Sequence, residues 1–157
     1  MDLRLGMVKE MKNASTFIAF LVALAFTFGW YWWQQYILAI TPYSNWFYVR
    51  SIDIADVPFG TDPAVVYDRE IRKEFDGEWI VEIVRTQDKF TICTGFGKNH
   101  YEPKDKIPDA GVTLSWLVGK DCKLPKGQYT AQAFWKIMPD GYPPKSLRVI
   151  SNIFEVK

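Results

Sequence analysis

The sequence predicts an all-β domain, a two-sheet sandwich of about seven strands, that follows one N-terminal transmembrane α-helix. An uncharged and largely apolar stretch at 15–40 predicts the helix. Short segments with alternating side chains follow, and turn residues separate them at intervals of about 8–12 positions. We therefore expect a cytoplasmic tail at 1–14, a transmembrane helix at 15–40 and an outer β-sandwich at 41–157.

The near-neutral charge gives no electrostatic footprint for nucleic acid. The 157 residues include 19 basic and 18 acidic side chains, for a net charge of +1. Proteins that bind nucleic acid usually carry a basic surface, and an anionic membrane surface attracts polybasic segments. Any partner is therefore expected to be recognised through shape and local chemistry.

Apolar side chains cover every side of the predicted helix, which is typical of a helix surrounded by lipid, whereas a core helix of a small domain keeps a polar face. They include Phe17, Ile18, Phe20, Leu21, Val22, Leu24, Phe26 and Phe28. A cleaved signal peptide is the alternative. The apolar run exceeds the roughly 7–15 residues of a signal-peptide h-region, and it ends in Trp30-Tyr31-Trp32-Trp33 with no small-x-small cleavage site there, which favours an uncleaved anchor.

The charges beside this stretch predict its orientation. Arg4, Lys9 and Lys12 precede it, and no Lys or Arg follows it until Arg50. The positive-inside rule then places the N-terminus in the cytoplasm. We expect an inner-membrane protein whose C-terminal domain is periplasmic or extracellular.

A cluster of aromatic residues marks the outer end of the predicted span. It comprises Trp30, Tyr31, Trp32, Trp33 and Tyr36. Such amphipathic rings prefer the lipid headgroup layer. The alternative is a contact face for another membrane protein. Thr41-Pro42 is expected to end the helix, because the residue before proline avoids helical dihedrals.

Alternation and turn residues predict the strands of the outer domain. Residues 48–54 alternate, and the charged segment 65–75 predicts an edge strand, with a short helix as the alternative. Asp76-Gly77 predicts a hairpin turn into a strand at 78–86. Further strands are expected at 90–96, 112–118, from Tyr129 onward and at 147–156, with a polar loop at 98–110. Gly95-Phe96-Gly97 is interpreted as a turn that ends a strand.

The two cysteines, Cys93 and Cys122, predict a structural disulfide. They lack CxxC spacing, and the single histidine, His100, cannot complete an ordinary zinc site with them. A disulfide requires an oxidising compartment, which agrees with the orientation predicted from the flanking charges.

The segment Leu124-Pro-Lys-Gly-Gln-Tyr129 resembles the corner before the penultimate strand of immunoglobulin-like domains. In those domains a Gly-x-Tyr places the tyrosine hydroxyl on backbone. Ala131 stands where antibody domains carry their second cysteine, so the usual inter-sheet disulfide is absent. The resemblance implies an immunoglobulin-like sandwich.

A second resemblance covers about Trp79 to Val156 and includes CTGFG, Tyr101, LSWLVG, CKLPKGQYTAQAFW and SNIFEV. These features resemble small single-span proteins encoded by tailed phages and prophages. Because they are mainly turn glycines, core aromatics and cysteines, they imply a fold and a phage or prophage origin more than an activity.

No motif predicts catalysis or a cofactor, so we expect a protein that is not an enzyme. The sequence has no GxSxG, P-loop or HExxH motif, and its aspartate pairs lack the spacing of a calcium loop. A basic-aromatic loop is the candidate contact for an acidic partner or a glycan, with a solvated loop as the alternative. It comprises Lys98, His100, Tyr101, Lys104 and Lys106.

These observations predict a membrane-anchored binding or scaffolding protein, and the second resemblance suggests a phage-encoded or virion-associated one. Rigid sandwiches present loops for recognition. One alternative is an accessory subunit of a membrane complex, in which the helix and its aromatic cluster pack against other spans. Another is a lysis or superinfection-exclusion factor that acts on the envelope. The expected partners are the lipid bilayer and another membrane or envelope protein.

Overall fold

The computed structural model describes residues 3–105 and 112–157, with side chains described from residue 16 onward. The chain forms two compact units, Met1–Thr41 and Pro42–Lys157. Each unit is described by itself.

The first unit is a single helix, α1, at Leu3–Ile40. Its segment Thr16–Ile40 is long and apolar enough to cross a membrane. At 1.5 Å per residue this segment extends for about 37 Å, which exceeds a hydrocarbon layer of about 30 Å. The helix ends before Pro42 as predicted, and the Thr41 hydroxyl donates to the Ile37 carbonyl at 2.7 Å.

The second unit contains two antiparallel sheets, which confirms the predicted all-β, sandwich-like class. Its strands are β1 (Phe47–Ile54), β2 (Ala64–Ile71), β3 (Phe75–Arg85), β4 (Thr91–Tyr101), β5 (Val112–Thr113), β6 (Gly127–Met138), β7 (Lys145–Ile150) and β8 (Phe154–Val156). A 3-10 helix at Tyr43–Asn45 precedes β1, and a short helix, α2, spans Leu114–Val118. The sheet orders are β1-β2-β5 and β4-β3-β6-β7, and β8 also pairs with β6.

The core lies between the two sheets, on the inward positions of the alternating strands. Phe47 of β1 is fully buried and contacts three rings of the opposite sheet. Its ring centroid lies 5.5 Å from that of Phe75, 5.8 Å from that of Tyr101 and 5.5 Å from that of Trp135. Buried aromatic contacts of this kind stabilise beyond their area alone, so this cluster joins the sheets at their centre.

The C-terminal segment closes one side of the sandwich. The Asn152 side chain accepts a hydrogen bond from the Ile54 amide at 2.8 Å and donates to the Ile54 carbonyl at 2.9 Å. The Ala131 amide donates a hydrogen bond to the Ser151 hydroxyl at 2.8 Å, where a strand would normally offer a backbone carbonyl. The predicted single strand at 147–156 is therefore wrong: it divides into β7 and β8, because residues 151–153 turn toward β1.

Asp76-Gly77 does not form the predicted hairpin turn. Both residues lie inside β3, where Gly77 pairs with Asn99 of β4. A Cβ on Gly77 would lie 2.8 Å from a ring carbon of Tyr101, so glycine here provides room for that ring. The chain turns at 72–74 instead. Because β2 and β3 belong to different sheets, this connection is a crossover and not a hairpin.

The strand predicted at 65–75 is shorter and is not at an edge. It ends at Ile71, and β2 pairs with β1 on one side and with β5 on the other. The alternative of a short helix is wrong. The charged residues that suggested an edge, such as Asp68 and Glu70, lie on its exposed positions.

Gly95 and Gly97 lie within β4 and do not end it. A Cβ on Gly97 would lie 2.6 Å from the Trp79 indole, and a Cβ on Gly95 would collide with the Leu117 carbonyl. Both glycines therefore allow other groups to lie directly on the inner face of the strand. β4 continues to Tyr101, so the first four residues of the predicted loop at 98–110 are strand.

The segment 112–118 is a strand for only two residues. Leu114 and Leu117 are buried at helical spacing, whereas Trp116 is 63% exposed, so the strand predicted at 112–118 is wrong beyond Thr113. Asp62 fixes the start of α2, because it accepts hydrogen bonds from the Ser115 amide at 3.0 Å and the Ser115 hydroxyl at 2.5 Å. A carboxylate at a helix start satisfies otherwise unpaired amides.

Candidate functional site: an aromatic cleft between the sheets

An open cavity of about 360 Å³ lies between the two sheets, beside α2. Within the described part of the chain it is lined by residues from β1 to β6 and α2, and most of its surface is apolar. Its prominent side chains are Tyr67, Arg69, Trp79, Tyr101, Trp116 and Trp135. We call this cavity the aromatic cleft.

The walls of the aromatic cleft follow from strand alternation and from a missing side chain. Trp79 of β3 pairs with Trp135 of β6 on one side and with Gly97 of β4 on the other. Because Gly97 has no side chain, the Trp79 indole lies over that strand. Cross-strand pairing of an aromatic residue with glycine is a known device of sheets.

Arg69 contributes the only formal charge among the described residues that line the cleft. The inward positions of β2 are Val65, Tyr67, Arg69 and Ile71, so strand alternation directs this cation between the sheets. Its guanidinium carbon lies 5.6 Å from the centroid of the Tyr101 ring, a cation–π distance. The Nε atom of Arg69 is buried and has no hydrogen-bond partner in the described structure.

The neighbouring phenols do not neutralise this charge. Burial raises the pKa of Tyr67 and of Tyr101, although the positive charge of Arg69 acts in the opposite direction. Both hydroxyls are therefore protonated at neutral pH. Arg69 contrasts with Arg50 of β1, whose guanidinium reaches the Asp68 carboxylate at 3.3 Å on the exposed surface.

This arrangement is suited to binding. Flat rings surround an apolar space, and one guanidinium supplies directed donors at its wall. Pockets that bind small molecules combine an apolar lining with a few placed polar groups in this way. The positive charge attracts anions and repels metal cations.

The disulfide joins β4 to the chain that follows α2. Cys93 of β4 is bonded to Cys122, with Cα atoms 5.8 Å apart, which confirms the predicted pairing. Cys122 belongs to the turn after α2, and its amide donates to the Gly119 carbonyl at 3.2 Å. The bond therefore ties β4 to the end of the helix that carries Trp116 and Leu117.

The predicted basic-aromatic loop is divided between two faces of the sheet. Lys98 and His100 lie on the exposed face of β4, whereas the Tyr101 side chain is buried in the core. Lys104 follows the strand, and Lys106 lies outside the described residues. The prediction that these residues form one loop is therefore wrong for Lys98, His100 and Tyr101, because β4 extends through them.

Acidic neighbours already pair with the cations of this region. Lys98 forms an ion pair with Glu78, and Lys104 forms one with Glu102. His100 Nδ1 lies 2.9 Å from the Asp76 carboxylate, and the hydrogen bond to Asp76 raises the pKa of His100. The face is therefore a mixed-charge surface, which argues against its use for an acidic partner.

The aromatic residues predicted at the membrane interface are all exposed on α1. Trp30, Tyr31, Trp32, Trp33 and Tyr36 each leave more than half of their surface accessible. The ring centroids of Trp33 and Tyr36 lie 6.1 Å apart. The placement of these rings in the lipid headgroup layer, with a protein contact face as the alternative, stays a prediction.

Arg69 and Trp116 were not identified as site residues from the sequence. The signal for Arg69 was its inward position in the alternation Val65, Tyr67, Arg69 and Ile71.

No protein-family model matches the chain, and no curated protein sequence or solved structure matches it significantly. Its function is therefore inferred from the geometry of the cleft.

Proposed function

We propose that this chain is a single-pass, membrane-anchored binding protein whose non-catalytic outer domain takes its ligand in the aromatic cleft. The observation that carries the proposal is Arg69, an inward guanidinium with a buried Nε atom that has no partner in the described structure. A buried donor without an acceptor costs free energy, and because Arg69 also lines the open cavity, an anionic ligand there would offset part of the cost of holding this cation between the sheets.

The anchor and its orientation are part of the proposal. α1 has the length and composition to span a bilayer. The basic residues Arg4, Lys9 and Lys12 support a cytoplasmic N-terminus, and the Cys93–Cys122 disulfide supports a periplasmic or extracellular domain. Protease added to intact spheroplasts should then cleave the chain beyond Pro42, and complete protection of that region would contradict the orientation.

We further propose that the outer domain is immunoglobulin-like and phage- or prophage-encoded. The Tyr129 hydroxyl donates to the Pro125 carbonyl at 2.7 Å, as expected for the corner that the sequence resembles. The second resemblance, to single-span proteins of tailed phages, supports the origin.

Closing the mouth of the cleft tests the binding function. Asn99 is exposed and lines the cleft, so Asn99→Trp should obstruct it. Thr94→Trp is the matched control, because Thr94 is an exposed residue of the same strand outside the cleft. The full-length proteins are purified from native membranes, and the small molecules and proteins that accompany them are identified by mass spectrometry.

We expect a companion that is recovered with the wild-type protein and with Thr94→Trp. Its recovered amount should fall at least about tenfold with Asn99→Trp, because a substantial part of the binding free energy is lost. Equal recovery with all three proteins, or no companion with the wild type, would argue against the cleft as the binding site.

An exposed apolar row favours a second candidate function, that of an accessory subunit in a membrane complex. Phe96, Ile80 and Phe134 are neighbours in register on the outer face of the second sheet. Phe96 is 82% exposed, and Arg148 lies 5.3 Å from the centroid of the Phe134 ring. Apolar groups of this kind on a sheet surface often mark contacts.

Gentle extraction distinguishes this candidate from a free binding module. An accessory subunit should co-purify with its complex in fixed stoichiometry, and Phe96→Ser should reduce that ratio while Thr94→Ser does not. A chain that runs alone after extraction would argue against the second candidate.

A further inference from the structure

We propose that the ligand of the aromatic cleft is an aromatic monocarboxylate, whose carboxylate pairs with Arg69 and whose ring lies between the side chains of Trp79, Tyr101 and Trp116. This inference rests on the proposed binding function and specifies its ligand class. It applies to a free acid or to the C-terminal residue of a peptide, because both offer the same chemical group.

The charge of the ligand follows from the charge of the cleft. Arg69 is the one charged side chain among the described lining residues, and Tyr67 and Tyr101 stay neutral. A guanidinium in apolar surroundings is stabilised by an anion and matches the planar fork of a carboxylate. A single cation balances one negative charge, which favours a monoanion over a phosphate dianion.

The body of the ligand follows from the walls. Five aromatic side chains line the cavity, and its lining is mostly apolar. A flat ring makes offset-stacked or edge contacts with such walls. A glycan would need many hydrogen-bonding groups, and Arg69, Asn99 and Thr113 are the few polar side chains in this set, with Tyr and Trp donors at its edges.

The size of the ligand follows from the volume. The cavity of about 360 Å³ lies near the lower end of the range of small-molecule sites, roughly 300–1,000 Å³. One bicyclic ring with a short acidic arm, or the last one or two residues of a peptide, is of suitable size. A folded protein surface would enter only through such a terminal group.

The test measures the preference for an acid over its neutral amide. The full-length protein in lipid nanodiscs is titrated calorimetrically with 2-naphthylacetate and with 2-naphthylacetamide, and empty nanodiscs serve as the blank. We expect the acid to bind at least about tenfold more tightly, because its carboxylate forms an ion pair with the Arg69 guanidinium and the neutral amide does not. In Arg69→Met the affinities of the two probes should lie within about twofold of each other, because the part of the binding free energy that depends on the charge is lost.

Arg50→Met is the matched control, because it removes an exposed arginine that lies outside the cleft. It should keep the wild-type preference for the acid. Circular dichroism establishes that the variants fold, and if Arg69→Met does not fold, the acid-to-amide ratio of the wild-type protein decides alone.

Two peptides distinguish the sources of the carboxylate. If the natural ligand is a chain terminus, a hexapeptide that ends in Phe should bind when its C-terminus is a free acid. The same peptide with a C-terminal amide should bind with at least about tenfold lower affinity. Binding of naphthylacetate without binding of the peptide acid supports a free acid as the ligand.

Equal binding of the acid and the amide to the wild-type protein would overturn the carboxylate while leaving the cleft as a binding site. No binding of any probe would overturn the ligand class. The membrane-derived companion that Asn99→Trp removes tests the proposed function separately, so the two failures are distinguishable.

Discussion

Three glycines inside strands shape the molecule at the scale of single residues. Gly77, Gly95 and Gly97 all face the interior, where a Cβ would meet the Tyr101 ring, the Leu117 carbonyl and the Trp79 indole respectively. Glycine inside a strand normally weakens it, but it also marks a close approach of other groups. Here the absent side chains let Trp79 and α2 lie against β4, which forms the cleft.

Replacing Gly97 with alanine should therefore destabilise the domain. The added Cβ would lie 2.6 Å from the Trp79 indole, and overpacking of this kind costs about 1–3 kcal/mol. The free energy of unfolding is measured by chemical denaturation of the full-length protein in detergent. In the background Trp79→Leu the same change should cost clearly less, and equal costs in both backgrounds would contradict the proposed clash.

His100 gives a second prediction at this scale, because the chain has one histidine and hence one imidazole resonance to follow. The hydrogen bond to Asp76 raises the pKa of His100 above its ordinary value of 6.5. The folded pKa then exceeds the unfolded one, so the protonated pair stabilises the folded state. That contribution is fully present below the unfolded pKa and is lost as the pH rises through the folded pKa.

Titration by proton NMR measures this pKa directly. In Asp76→Asn it should move back toward the ordinary value, whereas Glu102→Gln should have a smaller effect, since the Glu102 carboxylate lies 3.9 Å from His100 Nε2. An unchanged pKa in Asp76→Asn would show that the pair does not form in solution.

At the scale of secondary-structure elements, α2 depends on tertiary contacts. It has five residues, and isolated helices of that length are not stable in water. Its start is held by Asp62, its buried side lies on Gly95, and its end is tied to β4 by the disulfide. Burial raises the pKa of Asp62, but the hydrogen bonds from Ser115 and Thr113 outweigh it, and the net direction is a lowered pKa.

Removing the disulfide should loosen α2 before it affects the sheets. The cysteines are 29 residues apart, and closing a loop of that length stabilises by about 3–4 kcal/mol in the chain-entropy model. In the double variant Cys93→Ser/Cys122→Ser, hydrogen exchange at 114–118 should accelerate strongly. The amides at the centre of β6 serve as the control, and equal acceleration there would indicate global unfolding instead of local release.

At the scale of the whole β domain, the last residues hold the two sheets together. β8 pairs with β6 of one sheet, and Val156 forms a parallel bridge with Val57, which follows β1 of the other. Phe154 is fully buried and Val156 nearly so. The C-terminal segment is thus part of the core.

Deleting residues 154–157 should abolish cooperative unfolding of the domain. Loss of a buried phenylalanine alone costs about 3–5 kcal/mol, a large part of the usual stability of about 5–15 kcal/mol. Lys157→Ala is the control, because it keeps the backbone and removes only the exposed pair with Asp56 at 3.4 Å, for about 0–1 kcal/mol. A sigmoidal unfolding transition in the truncated protein would contradict this role of β8.

Local patterns predicted much of this architecture. The apolar stretch predicted α1, since a helix apolar on every side is recognisable without any partner. Alternation predicted the strand around Ile83 and the strand from Tyr129 onward, because side chains in strands alternate with a period of two. The cysteine pairing and the Tyr129 contact also followed from local features.

The errors occur where distant contacts outweigh local preference. Asp76-Gly77 has the composition of a hairpin turn, yet in β3 Gly77 provides room for the Tyr101 ring, which lies 24 residues later in the chain. LSWLV has strand-forming residues, but Asp62 supplies the helix start from 53 residues away. Local propensity is a weak determinant compared with packing.

The sequence by itself determined an apolar helix, a β-rich domain behind it and the residues able to form its disulfide, because hydrophobic period and residue type act over neighbouring positions. Only the tertiary structure decided that Arg69, Trp79 and Trp116 surround one cleft. These residues come from β2, β3 and α2, and the meeting of two sheets depends on the packing of the whole domain.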